Sequence, residues 1–325
     1  MPLEALAIFA VVITVSLYVD IYVHRKGGEV TVRSAALWSC FWIAMALGFY
    51  VYVAMRYNRD WANLYLTGYV LEKSLSVDNL VAFMAIFSSF AMGTGLQHRI
   101  LYYGILGALV FRAIFVVVGT GLMQAGPWVG FVFAAVVLWS AVKMLQRGHG
   151  GGEEITDYTH HWSVRLVGRL MPVCTRLMGQ RFFVADRDLG GDHAVLVTRK
   201  GRCYATPAFL CLMAVETSDI AFSFDSVPAV IAVTREPILV YAAMIFAILG
   251  LRSLYFILAA LSKILVHLEK AVIGLLFFIA FKLALEAWNK LSDTGLHISP
   301  MVSLLIVLCT LGTGVLASFV RPAKE

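Results

Sequence analysis

Nine mostly apolar stretches, each long enough to cross a bilayer, divide this chain of 325 residues: roughly 4–23, 34–55, 63–91, 98–123, 127–146, 206–233, 237–262, 269–289 and 298–320. A span needs about 20 such residues. Inside hydrocarbon only helices and closed barrels satisfy their own backbone, and runs of this length are helices. The chain therefore reads as an all-α polytopic membrane protein of about nine transmembrane helices. The composition agrees, with 60% hydrophobic and only 14% charged residues, against about 25% charged in soluble domains. The net charge of +6 comes from basic loops and calls for no nucleic acid. Glu4 stands where a cleavable signal would carry its basic region, so the first run reads as a retained span. The five cysteines are scattered without a CxxC pair and read as reduced structural thiols.

The third and sixth runs are the least apolar, because they carry acids. One contains Glu72-Lys-Ser-Leu-Ser-Val-Asp78-Asn79, the other Glu216-Thr-Ser-Asp219-Ile-Ala-Phe-Ser-Phe-Asp225. A carboxylate at bilayer depth costs at least about 2.5–3.5 kcal/mol on insertion scales. Glu72, Asp78, Glu216, Asp219 and Asp225 are therefore the candidate metal ligands. Ser74, Ser218, Ser226 and Asn79 could add neutral oxygens. Hard oxygen ligands suit Mg²⁺, Ca²⁺ and Mn²⁺, whereas zinc and copper recruit His and Cys. Arg112, Arg252 and Lys73 are the candidate charge partners within spans. An arginine could hold the acids when no metal does, or form a permanent structural pair. Buried acids could merely glue helices together, but five acids against two or three buried bases leave negative charge for a cation or for protons.

Geometry sets a condition. Glu216 and Asp219 are three apart and share a helix face. Asp225 lies about 180° around from Glu216 and Asp78 about 240° around from Glu72 at 100° per residue. Convergence of all five predicts an unwound or kinked segment at 223–228, beside Pro228, and a second at Asp78-Asn79.

The order acidic run, Gly/Arg run, plainer run occurs twice, with Ile105-Leu-Gly-Ala-Leu-Val-Phe-Arg112 answered by Ile248-Leu-Gly-Leu-Arg252. Three spans per copy put the second copy in the membrane upside down, an inverted 3+3 repeat of the secondary-transporter kind. The organisation expected is 1–60, two N-terminal spans; 61–146, the first repeat; 147–205, a cytoplasmic loop; 206–290, the inverted repeat; and 291–325, a last span and tail. Seventeen Lys and Arg fall on the side of the long loop and the C-terminus, against four on the other. Without the long loop the ratio is still eight to four. This places the N-terminus outside and the C-terminus in the cytoplasm, across the cell's inner (plasma) membrane. In the loop, 161–179 reads as an amphipathic helix on the membrane surface. Residues 182–184 and 194–197 read as a small hairpin, and His149, His160 and His161 as solvated linker rather than a metal site.

At Gly68-Tyr-Val-Leu-Glu-Lys-Ser-Leu-Ser-Val-Asp-Asn79, Tyr204-Ala-Thr-Pro207, Glu216-Thr-Ser-Asp-Ile-Ala-Phe-Ser-Phe-Asp-Ser-Val-Pro-Ala229 and Phe246-Ala-Ile-Leu-Gly-Leu-Arg252 the chain resembles the TerC family, most of all its Alx-like branch, within the LysE-type transporter superfamily. The family takes its name from tellurite (tellurium) resistance. The resemblance implies export of Mn²⁺ along a path lined by the five acids, with no permanently bound cofactor. Ala185–Asp192 looks like added length against the family pattern. Proton exchange fits, because the same carboxylates can trade metal for H⁺. The implied partners are the metal ion, protons and membrane lipid. The alternative is a non-transporting factor for membrane-protein assembly or metalation. No Walker motif, haem-ligand pair or nucleophile motif suggests an enzyme.

Overall fold

The computed structural model describes residues 15, 31–149, 159, 161–186, 201–234, 236–261, 268–292 and 298–320. Ten helices and a two-stranded sheet follow one another: α1 Val32–Arg56, α2 Arg59–Ser89, α3 Thr94–Leu122, α4 Pro127–His149, α5 Trp162–Leu170, β1 Phe183–Ala185, β2 Cys203–Ala205, α6 Pro207–Val233, α7 Pro237–Leu249, α8 Leu251–Leu261, α9 Leu268–Ser292 and α10 Pro300–Val320. Six of these, α1, α3, α4, α6, α9 and α10, are long and apolar enough to cross a membrane, and α7 with α8 makes a seventh if the bent pair is one span. Helix α2 is longer still, at 31 residues, but Arg59, Asp60, Glu72, Lys73 and Asp78 dilute its apolar character. The expected first span, 4–23, lies outside the described residues.

The helix starts follow local chemistry. Thr31 and Asn58 cap α1 and α2, their side-chain oxygens accepting from the Ser34 and Trp61 amides. Pro207 and Pro237 open α6 and α7, where a missing N–H costs nothing. Helix α7 has almost no polar side chain, and a helix apolar all round belongs in the interior. Leu239, Val240 and every residue from Ala242 to Leu249 are buried, and Phe246 packs against the Phe49 and Tyr65 rings.

Helices α2, α3 and α4 pack chiefly on α6, α7 and α9 rather than on each other. Helices α3 and α6 run side by side in the same direction. Going along both, Gly104 makes room for Val215, Gly107 for the Glu216 carboxylate and Gly119 for Ile231. Helices α2 and α7 do the same, with Gly68 against Ala243 and Lys73 against the Ala247 carbonyl. The two acidic helices, α2 and α6, meet in opposite directions: Gly68 faces Val230, and Glu72 lies at the level of Asp219. Glycine at these crossings lets helix backbones approach closely.

The expected breaks at 223–228 and at Asp78-Asn79 are absent: α2 and α6 each run through as one helix. Pro228 removes a single hydrogen bond, whereas unwinding would strand several backbone groups in an apolar bundle. The break lies instead at Gly250, where α7 and α8 meet at 48°.

In the loop, the amphipathic helix occupies only Trp162–Leu170, ended by the extended Met171 and by Pro172. The expected strand at 182–184 forms one residue later, and its partner is Cys203–Ala205, antiparallel, with Val184 opposite Tyr204. The proposed partner at 194–197 lies outside the described residues. Pairing to 203–205 satisfies the backbone directly before α6. The Cys174 amide also donates to Ala205 and the Ala205 amide to Pro172.

Candidate functional site

The acids on α2 and α6 face each other across α3. Arg112, fully buried on α3, forms ion pairs with Glu72 of α2 and, at 3.1 Å, with Asp219 of α6. One guanidinium thus joins a carboxylate from each acidic stretch. Its planar fork suits two carboxylates at once. Glu72 is 0% and Asp219 5% exposed, so neither charge is shared with water. One helical turn before Arg112, Gly107 accommodates the Glu216 carboxylate; any Cβ there would overlap it. Three carboxylates and one guanidinium therefore occupy two adjacent turns of contact between α3, α2 and α6.

Satisfaction is incomplete. Glu216 Oε2 and Asp219 Oδ2 are buried and have no hydrogen-bond partner among the described residues, and the same holds for Ser226 Oγ and Asn79 Nδ2. Unpaired buried polar atoms are uncommon and each costs about 1–3 kcal/mol. The neighbouring hydroxyls are differently engaged. Ser74, Ser76, Thr217 and Ser223 donate to the carbonyls of Val70, Glu72, Met213 and Asp219 one turn back. A hydroxyl that donates backwards keeps its lone pairs, so these oxygens can still accept. Ser218, at 9% exposure, is also buried.

Asp78 and Asp225 lie on the backbone of α2 and α6, and their side chains are outside the description. Among the described residues, no three His, Cys, Asp or Glu side chains are close enough together to hold a metal ion. The acids are instead gathered around Arg112.

Lys73 meets no carboxylate among the described residues. Its Nζ donates to the Ala247 carbonyl at 3.1 Å, beside Gly250 and Trp42. The break at Gly250 leaves the last carbonyls of α7 without intrahelical donors, and an ammonium is suited to such a helix C-terminus. Arg252, two residues past the break, is buried and engaged. The break was missed from sequence, and Lys73, a candidate partner for the acids, bonds a carbonyl instead. The available signal was Gly250 inside an otherwise unbroken apolar run.

The β1–β2 strands form a collar between the neighbouring ends of α3 and α6. Phe182 packs under the Arg99 guanidinium at 4.9 Å and edge-on to Tyr103. Thr206 donates to the Arg181 and Phe182 carbonyls. His161 meets Ser163 at 2.8 Å; partial burial and the nearby Arg165 hold its pKa below the usual histidine value. At the far end of α3 and α6 is a cavity of about 320 Å³ between Thr120, Gln124, Ile231 and Lys290, away from the carboxylates.

Residues 57–325 match the family described as "Integral membrane protein TerC family". The chain belongs to the TerC family. It is 47% identical over 331 residues to the tellurium resistance protein TerC of Alcaligenes sp, covering 99% of this chain and 95% of that one. An uncharacterized membrane protein of Myxococcus xanthus is 34% identical over 92% of this chain and 86% of its own length. Alx of Escherichia coli strain K12, named as a proposed membrane-bound redox modulator, is 34% identical over 85% of this chain and 84% of its own. The Alx-like resemblance is present, and identity to the tellurium resistance proteins is higher. No solved structure matches. A multi-pass membrane protein of the TerC family is thus the identity of the chain.

Proposed function

We propose that this protein is a secondary transporter that exports divalent metal cations, Mn²⁺ foremost, through the carboxylates of α2 and α6, in exchange for protons. The observation that carries this reading is Arg112 holding Glu72 and Asp219 together inside the bundle while Glu216 lies one turn away. Two buried acids and a half-buried third against one guanidinium leave negative charge in a low-dielectric place, and carboxylate oxygens with unmet lone pairs are hard-metal ligands. In this reading Arg112 is the internal substitute for the ion. When a divalent cation arrives, Asp219 and Glu72 turn from guanidinium to metal; when it leaves, the arginine returns, so no bare carboxylate is left in the apolar interior. Protons could neutralise the same oxygens on the return step.

The paired directions of the helices support an inverted repeat of α2–α4 and α6–α9. Parallel α3/α6 and α2/α7 with opposed α2/α6 are what two inverted copies would make. With α2, the α7–α8 pair and the run at 4–23, the spans would number nine. The basic-residue balance supports an inner-membrane orientation with the collar and C-terminus in the cytoplasm.

The test is transport by the purified protein in liposomes loaded with a Mn²⁺-quenched dye. Metal flux that disappears in Glu216→Gln/Asp219→Asn supports the site. Normal flux in that variant overturns the site assignment. No flux of any divalent ion in wild-type liposomes overturns transport in favour of an assembly or metalation role.

A further inference from the structure

Helix α5 carries a face that neither the fold nor the proposed ion path uses. At 100° per residue, Trp162, Leu166 and Leu170 form one stripe, with Ser163 and Val167 along one side of it and Arg165 and Arg169 along the other. The first side is buried, Ser163 at 1% and Val167 at 6%, in a cluster with Val173, Leu210 and Met213. The stripe is not: Trp162 is 58%, Leu166 47% and Leu170 75% exposed. Covering these side chains with an apolar medium is favourable.

The position of α5 says what covers the stripe. Leu210 and Met213 belong to the first two turns of α6, a 27-residue helix apolar enough to cross a membrane. Helix α5 therefore lies alongside the end of a span, where acyl chains give way to headgroups. A tryptophan at the edge of such a stripe suits that boundary. The charge fits the same occupant. Residues 161–185 contain Arg165, Arg169, Arg176 and Arg181 and no carboxylate. All four arginines are exposed.

We propose that α5 is a docking helix for anionic lipid: Trp162, Leu166 and Leu170 enter the acyl boundary of the adjacent leaflet, and Arg165 and Arg169 bind phospholipid phosphates beside them. The chain leaving α5 passes directly into the collar, through Cys174 bonded to Ala205 and Phe182 seated on Arg99 and Tyr103 of α3. Lipid held on α5 thus anchors the collar that spans the ends of α3 and α6, the two helices joined by Arg112 and Asp219.

Docking can be tested without any transport assay. The full-length protein is reconstituted in vesicles of phosphatidylcholine, alone or mixed with phosphatidylglycerol, with lipids brominated near the headgroup end of the chain as fluorescence quenchers. Trp162→Phe should remove a quenchable component of tryptophan emission. Identical quenching in wild type and Trp162→Phe means that the stripe faces water, a second copy or another protein, and overturns the proposal. Arg165→Gln/Arg169→Gln should weaken retention of phosphatidylglycerol by up to about 25-fold at low salt, since each arginine near a membrane surface is worth about fivefold. Retention unchanged in that variant overturns the headgroup assignment. Both substitutions sit on exposed positions, so an unchanged melting temperature separates lost lipid binding from lost folding.

Discussion

The two Gly/Arg segments start alike and end differently. Ile105-Leu-Gly107 lies within an unbroken α3, whereas Ile248-Leu-Gly250 closes α7, and the chain turns by 48° into α8. Each glycine receives a charged side chain from the acidic helix of the other half. At Gly107 it is the carboxylate of Glu216; at Gly250 it is the ammonium of Lys73. The sign follows from the backbone. An intact helix has no spare carbonyls to hold a cation, and the acid that fills the space at Gly107 keeps one oxygen without a hydrogen-bond partner among the described residues. A helix that stops has carbonyls to offer, and Lys73 bonds one of them. Identical tripeptides thus serve as an acid niche in one half and as a capped joint in the other.

Removing the cation of the first half should have the largest effect. Arg112→Met leaves Glu72 and Asp219 buried without a counter-charge, which should cost about 3–5 kcal/mol and lower the melting temperature of the detergent-solubilised protein. Adding Glu72→Gln and Asp219→Asn should restore much of the loss. A single arginine variant as stable as wild type would mean that the acids are already neutral. Lys73→Met should cost less, about 1.5–3 kcal/mol, the range of one charged hydrogen bond. Its signature is local: amides at 250–254 should exchange faster while those of α3 are unchanged.

The glycines sharpen the contrast. Gly107→Ala puts a methyl group where the Glu216 carboxylate lies, and Gly250→Ala brings one to 2.9 Å from Lys73 Nζ and 3.1 Å from Trp42 Cβ. Both should destabilise by about 1–3 kcal/mol. Only Gly107→Ala should also impair Mn²⁺ flux in liposomes, because it moves a proposed ligand; equal impairment by both would erase the distinction between niche and joint. The smallest effect belongs to Tyr255→Phe. This removes the 3.2 Å bond from α8 to Gln97 of α3 and should cost about 0.5–1.5 kcal/mol by thermal melting.

Much of this was written in the chain. Apolar length fixed the helices, because a backbone in hydrocarbon has no other way to bond itself. The cost of a buried carboxylate marked Glu72, Asp78, Glu216, Asp219 and Asp225 as candidates before any geometry was known, and Glu72, Glu216 and Asp219 come together beside α3. Arg112 was a candidate partner for the same reason. Which acids it would take was not legible, since Glu72 and Asp219 are 147 positions apart and meet only because α2 and α6 cross in opposite directions beside α3. Lys73 follows Glu72 directly, yet points to a different helix and a carbonyl rather than an acid.

The break was misplaced for a related reason. Pro228 is a strong local signal, but a helix held on several sides by its neighbours absorbs one missing donor. Gly250 is a weak local signal, decisive only because Trp42 and Lys73 press on it from α1 and α2. Composition and periodicity determine what must be helical and which charges need partners, because those costs are paid residue by residue against the surrounding medium. Pairing, direction and the position of a joint depend on side chains remote in sequence arriving at one place, and only the packed bundle decides them.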